Sequence, residues 1–133
     1  NMFQGLPREE HGYQNRASLQ ADYSAVTAAC MMVKKDVFDA VDGFTEKLQV
    51  AFNDVDFCLK VRKKGYLVMY DPKIEGYHYE SKSRGAEDTP EKVRRFQGEI
   101  DTFRVLWKDI LKDGDPYYNR NFSLVSNQCL LGK

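Results

Sequence analysis

The stretch Phe52-Asn53-Asp54-Val55-Asp56-Phe57-Cys58-Leu59-Lys60 decides how this chain is read. It sets an amide and two carboxylates just ahead of an apolar-periodic run. Asn is a favoured N-cap, and an acid at the third helical position can reach back toward the cap, as in a capping box. The spacing predicts a helix over 53–64 with Asn53 as N-cap, Asp54 at the first helical position and Asp56 at the third. Val55, Cys58 and Leu59 share one face, Arg62, Lys63 and Lys64 gather at the far end, and Gly65 stops the helix. Acids in front and bases behind suit the helix dipole. Capping accounts for Asp56. It does not account for Asp54, whose side chain points away from the cap toward whatever lies before the helix. A carboxylate held there can serve as a general base.

Working outward, the chain has 133 residues, which is one domain, with 42% hydrophobic residues and enough aromatic side chains for a core. Twenty basic and twenty acidic side chains cancel, which argues against nucleic acid as a partner. No apolar run approaches the roughly 20 residues of a membrane span, and no signal peptide is visible. Cys30, Cys58 and Cys129 are scattered, with no zinc spacing and no disulfide framework. Cys30 and Cys58 read as small core residues, and a reducing compartment, the cytoplasm or the inner face of its membrane, is the expected setting.

Residues 1–21 form a polar arm without assigned chemistry, and His11 in it reads as a surface residue. Residues 24–34 read as a buried strand, because small and β-capable side chains run together. Lys34-Lys35-Asp36 opens a short helix that ends at Asp42-Gly43. Beyond the 53–64 helix, Tyr66-Leu67-Val68-Met69-Tyr70 reads as a strand closed by Asp71-Pro72, and 74–79 as a further extended piece. Residues 80–89 are a polar loop. Thr89-Pro90 starts another helix, with Val93, Phe96, Ile100, Phe103, Trp107 and Ile110 in one stripe and Gly114 at its end. Tyr117, Tyr118 and Phe122 predict a tail that packs. The expected architecture is α/β: a small mixed sheet from 24–34, 66–71 and 74–79, with helices near 35–41, 53–64 and 90–112.

Four motifs, in order, resemble the second half of the catalytic domain of family 2 glycosyltransferases. They are Thr27-Ala28-Ala29-Cys30-Met31-Met32-Val33 with the helix that follows; Asp42-Gly43-Phe44-Thr45-Glu46, against the family's Gly-Gly-Phe-Asp-Glu; Asn53-Asp54-Val55-Asp56, against Glu-Asp-x-Asp; and His78-Tyr79-Glu80-Ser81-Lys82-Ser83-Arg84-Gly85. The last of these, and Asp115-Pro116-Tyr117-Tyr118-Asn119-x-Asn121, resemble loops of one bacterial subgroup, so the resemblance covers roughly 22–125. It implies a partial GT-A fold: the acceptor-side C-terminal half of a domain whose N-terminal nucleotide-binding half belongs to the same polypeptide. It implies inverting transfer of a sugar from a nucleotide-sugar donor to a saccharide acceptor, in the synthesis of a bacterial surface polysaccharide, a rhamnose-containing one among the candidates. The 133 residues alone would then be inactive, and a homo-oligomer is an expected partner state.

By the same resemblance Asp54 is the catalytic base, and Asn53, Asp56, Glu80, Ser83 and Arg84 contact substrate. His78 ligates a divalent metal, Mg or Mn, in the complete enzyme, the alternative being a His packed among Tyr77 and Tyr79. Arg84 has the planar fork of donors that suits phosphate. Asn53 stands where Glu is commoner, which leaves the base in place and removes a neighbouring charge. Asp54-Val55-Asp56 and Asp113-Gly114-Asp115 are not the family's metal-binding Asp-x-Asp, which lies in the nucleotide-binding half. The alternative to an enzyme is a non-catalytic module that binds carbohydrate or protein on the same half-fold. Asp54 favours the enzyme.

Overall fold

The helix around which the rest packs, α2, spans Asn53–Lys63 in a computed structural model that describes residues 3, 5–79, 89–125 and 129–132. Its first backbone bond runs from the Asp56 N–H to the Phe52 carbonyl at 2.8 Å. Phe52, not Asn53, is therefore the N-cap, in the left-handed conformation at φ 62°. Asn53 becomes the first helical residue, so the expected register slips by one. The reason is aromatic: the Phe52 ring stacks on Phe96 and Phe103, with centroids 6.0 and 5.1 Å away.

Apolar residues on two sides of α2 enter two different clusters. One contains Phe57, Cys58 and Val61 with Val37, Val41 and Val68. The other contains Leu59 with Leu48, Phe103 and Trp107. Full burial of a side chain such as Phe57 or Leu59 contributes about 1.5–3 kcal/mol, so α2 anchors both halves of the molecule. In front of it, α1 (Lys35–Ala40) supplies Val37. Gly43 turns back at φ 57° so close to Phe38 that a Cβ there would lie 2.7 Å from the ring. Phe38, Phe44 and Phe57 then pack ring on ring at 5.0–5.9 Å.

The sheet is smaller than its sequence suggests. β1 (Ala21–Asp22) pairs antiparallel with β2 (Met69–Tyr70), Ala21 opposite Tyr70 and Asp22 opposite Met69. One further bond, Tyr23 N–H to Val68 carbonyl at 2.8 Å, prolongs the ladder. The expected strand over 24–34 is not formed. The Thr27 hydroxyl accepts the Ala29 N–H and starts a 3₁₀ turn over Ala28–Cys30, a local bond that competes with strand pairing. Met31 is extended at its close, and among the described residues 31–33 make no backbone hydrogen bond to another segment. Among the described residues, 75–78 likewise make no backbone hydrogen bond to another strand. Asp71 turns the chain by accepting the N–H of Lys73 on its side chain and of Ile74 on its carbonyl, and Arg8 holds Glu75 and the Tyr77 hydroxyl. The described elements are thus helical with one two-stranded antiparallel sheet, not a three-piece mixed sheet.

The expected helix over 90–112 is two. Thr89 caps α3 (Pro90–Leu106) by accepting the Lys92 N–H, and α4 (Lys108–Asp113) follows after Trp107, whose φ of −117° breaks the run. Of the stripe, Phe103 and Trp107 are buried, while Val93 and Phe96 stay 53% and 42% exposed. The tail packs as expected. Asp115 accepts from the Ser24 hydroxyl at 2.6 Å and the Tyr117 N–H at 2.9 Å, and Arg62 of α2 lies over the Tyr117 ring. Cys58 is buried, as expected, but Cys30 is exposed, because the 3₁₀ turn replaces the buried strand.

Candidate functional site

The front of α2 is where the described residues concentrate polar chemistry. Asn53 Oδ1 accepts the Asp54 N–H at 2.7 Å. Asp54 Oδ1 accepts the Val55 N–H at 2.9 Å, and Oδ2 accepts the Ala28 N–H from the 3₁₀ turn at 3.2 Å. The half-buried carboxylate thus lies between a helix N-terminus and a turn, with one backbone donor on each oxygen. A carboxylate has about four acceptor positions, so two bonds leave capacity for an incoming hydroxyl. A helix N-terminus stabilises the negative charge. The arrangement can orient a hydroxyl and take its proton.

Asp56 is corrected. It is not a cap, and its oxygens are taken by protein donors. It is 1% exposed. The Trp107 indole donates to it at 2.9 Å, the Thr45 hydroxyl at 2.7 Å, and the Lys60 ammonium stands 3.4 Å away. Lys60 also donates to the Gly43 carbonyl and to Thr45. A buried carboxylate has to be paired and hydrogen-bonded, and here the partners come from the 43–45 loop, α2 itself and the α3–α4 junction.

Glu99 was not legible as a site residue. It is 3% exposed on α3 and accepts the backbone N–H of Val50 at 3.3 Å and of Ala51 at 2.7 Å. Its signal in the sequence was an acid lying within an apolar stripe, three residues after Phe96 and four before Phe103. His78 is exposed, and no hydrogen bond or ion pair joins it to Asp54 among the described residues. Glu80, Ser83 and Arg84 lie outside the described residues. No group of three or more His, Cys, Asp or Glu is placed to hold a metal among the described residues. They do not form a metal centre by themselves, and no step below runs through one. A separate open groove between the 45–47 loop and α3, lined by Thr45, Lys47, Asp101 and Val105 among others, includes neither Asp54 nor His78. No helix among the described residues is long and apolar enough to cross a membrane.

Comparison with known proteins adds names. The chain is 50% identical over 126 residues, 94% of its length, to the uncharacterized protein y4gI of Sinorhizobium fredii. It is 32% identical over 108 residues, 81% of its length, to the O-antigen biosynthesis protein RfbC of Myxococcus xanthus. It is 31% identical over 62 residues, 47% of its length, to an N-acetylglucosaminyl-diphospho-decaprenol L-rhamnosyltransferase of Mycobacterium tuberculosis. It spans only 14%, 8% and 20% of these relatives. No protein-family profile matches the chain. No solved structure matches it.

Proposed function

We propose that this chain is part of a glycosyltransferase that moves a sugar from a nucleotide-sugar donor to a saccharide acceptor during synthesis of a bacterial surface polysaccharide. The observation that carries the reading is Asp54: a half-buried carboxylate at a helix N-terminus, oriented by the Val55 and Ala28 N–H groups and with acceptor capacity to spare. The names of the M. xanthus and M. tuberculosis relatives support the reaction class.

In this reading the acceptor hydroxyl attacks the anomeric carbon while its proton passes to Asp54. The new C–O bond forms as the bond to the nucleoside diphosphate breaks, and that electron pair leaves with the diphosphate. One in-line displacement inverts the anomeric centre. Asn53 flanks the base on the acceptor side. In the same reading Glu80, Ser83 and Arg84 would contact substrate, and His78 would be one ligand of a divalent cation, Mg or Mn, that offsets the charge of the departing diphosphate; residues beyond those described would complete its coordination. The GT-A half-domain assignment belongs to the same proposal. A nucleotide-binding half of the polypeptide would pair along residues 31–33, which make no backbone hydrogen bond to another segment among the described residues, and the transfer would take place on the cytoplasmic side.

The test is turnover of nucleotide sugar by the polypeptide as the cell makes it, with Asp54→Asn beside the unchanged protein. A loss of two to four orders of magnitude, the usual worth of a general base, is expected. More than about a tenth of the original turnover in the variant sinks the assignment and leaves a carbohydrate- or protein-binding module as the better description.

A further inference from the structure

We propose that Glu99 is a positioning residue for Asp54. The proposal rests on Asp54 being the base, although its structural half can be measured separately. Glu99 reaches out of α3 and accepts two consecutive backbone N–H groups, those of Val50 and Ala51. The next residue is Phe52, in the left-handed region at φ 62°, ψ 5°. A bulky L residue stays there only where its surroundings hold it.

Both the ring partners and the backbone acceptor among those surroundings come from α3. The Phe52 ring is stacked on Phe96 and Phe103 of α3, one turn to either side of Glu99. The helix that grips the backbone just before Phe52 therefore also grips its ring. Asn53 and Asp54 follow at once, so the angle at which the chain leaves Phe52 fixes where the Asp54 carboxylate stands and whether it meets the Ala28 N–H. An apolar side chain at 99 would fill the same space without desolvating a charge. A carboxylate adds a fixed direction for two N–H groups. Glu99 is buried and its carboxylate is taken by the two N–H groups and by Arg95 at 3.7 Å, so the contribution to turnover is geometric.

The experiment uses amide hydrogen exchange in the 133-residue protein and turnover in the complete polypeptide. Glu99→Gln keeps the shape and one acceptor but turns an NH₂ toward the other N–H. Exchange at Val50, Ala51 and, at a distance, Ala28 should rise about tenfold or more, as expected when a bond to a charged acceptor is lost. The Val41 and Gly43 amides, which bond to the Phe38 carbonyl, should not change. Phe52→Leu loosens the same junction from the ring side while leaving the buried charge in place, and should give the same local pattern at Ala28. Turnover in Glu99→Gln should fall about a hundredfold, the scale of a misplacement near 1 Å, with the donor KM unchanged. If Ala28 exchange is unmoved in both variants, or if every amide accelerates together, Glu99 is a packing residue and the proposal fails. If Ala28 responds but Asp54→Asn remains active, the base assignment fails and the placement by Glu99 stands.

Discussion

Asp54 and Asp56 stand two residues apart on one helix and have opposite surroundings. Asp54→Asn should lower turnover by two to four orders of magnitude and cost only about 0.3–1 kcal/mol of stability, the worth of a charge at a helix N-terminus. Asp56→Ala should do the reverse in the urea midpoint. It strands the Trp107 indole and leaves Lys60 beside a void, and breaking a buried pair costs about 3–5 kcal/mol, less here because the Lys60 side chain keeps 22% exposure. Side-by-side denaturation curves separate the two carboxylates; equal losses would remove the distinction. Cys58 offers a second check. Burial raises its thiol above the ordinary range. A raised pKa means that the folded state holds the proton more tightly, so this contribution is present at neutral pH and is lost as pH climbs through the folded value. Exposed Cys30 should therefore be alkylated quickly in the native protein at pH 8, and Cys58 only on unfolding, as mass spectrometry of the labelled peptides would show. The sequence placed Asp54 at the front of a helix because Asn, Asp and an apolar period are local signals. It could not place Asp56, since three of its partners lie eleven, four and fifty-one residues away and no local pattern points to them.

At the scale of elements, α1, α2 and the start of α3 were legible, because each is written as an apolar period with its own start signal. The sheet was not, because residues 24–34 have strand composition but a Thr27 turn that no period reveals. The α3–α4 break was hidden for a related reason: Trp107 continues the stripe perfectly while its indole is drawn to Asp56. Two substitutions test the junctions. Phe52→Gly should destabilise less than Phe52→Ala, by about 1 kcal/mol, since both lose the stacking but only Ala keeps the left-handed strain. The usual order in a helical segment has Gly as the worse choice, so a thermal midpoint of Phe52→Ala above that of Phe52→Gly would show that the cap is not strained. Gly43→Ala should cost roughly 1–3 kcal/mol, because its Cβ would meet the Phe38 ring at 2.7 Å and carry a positive φ as well. A neutral result in urea would mean that this turn can relax.

At the scale of the whole molecule, α2 is, among the described residues, the only helix with residues in both buried clusters. The two halves therefore have no independent way to come apart: loosening either one withdraws support from the helix that the other needs. Polar connections follow the same plan, with Asp56 joining the 43–45 loop to the α3–α4 junction and Glu99 joining the loop before α2 to α3. Only the apolar part of this plan was visible in composition and spacing. The carboxylate part depends on which segments meet in space. One consequence concerns light. The chain has a single tryptophan, and Trp107 sits in the second cluster with its indole N–H on a buried carboxylate. Its emission is an intrinsic optical gauge of that junction, free of any background from a second indole. The spectrum should be blue-shifted in the native protein and move to the red on unfolding. Because α2 ties the clusters together, the emission curve and the far-ultraviolet dichroism curve should superimpose against urea. An emission change that clearly precedes the loss of helix would reveal a hinge at Trp107 that opens by itself.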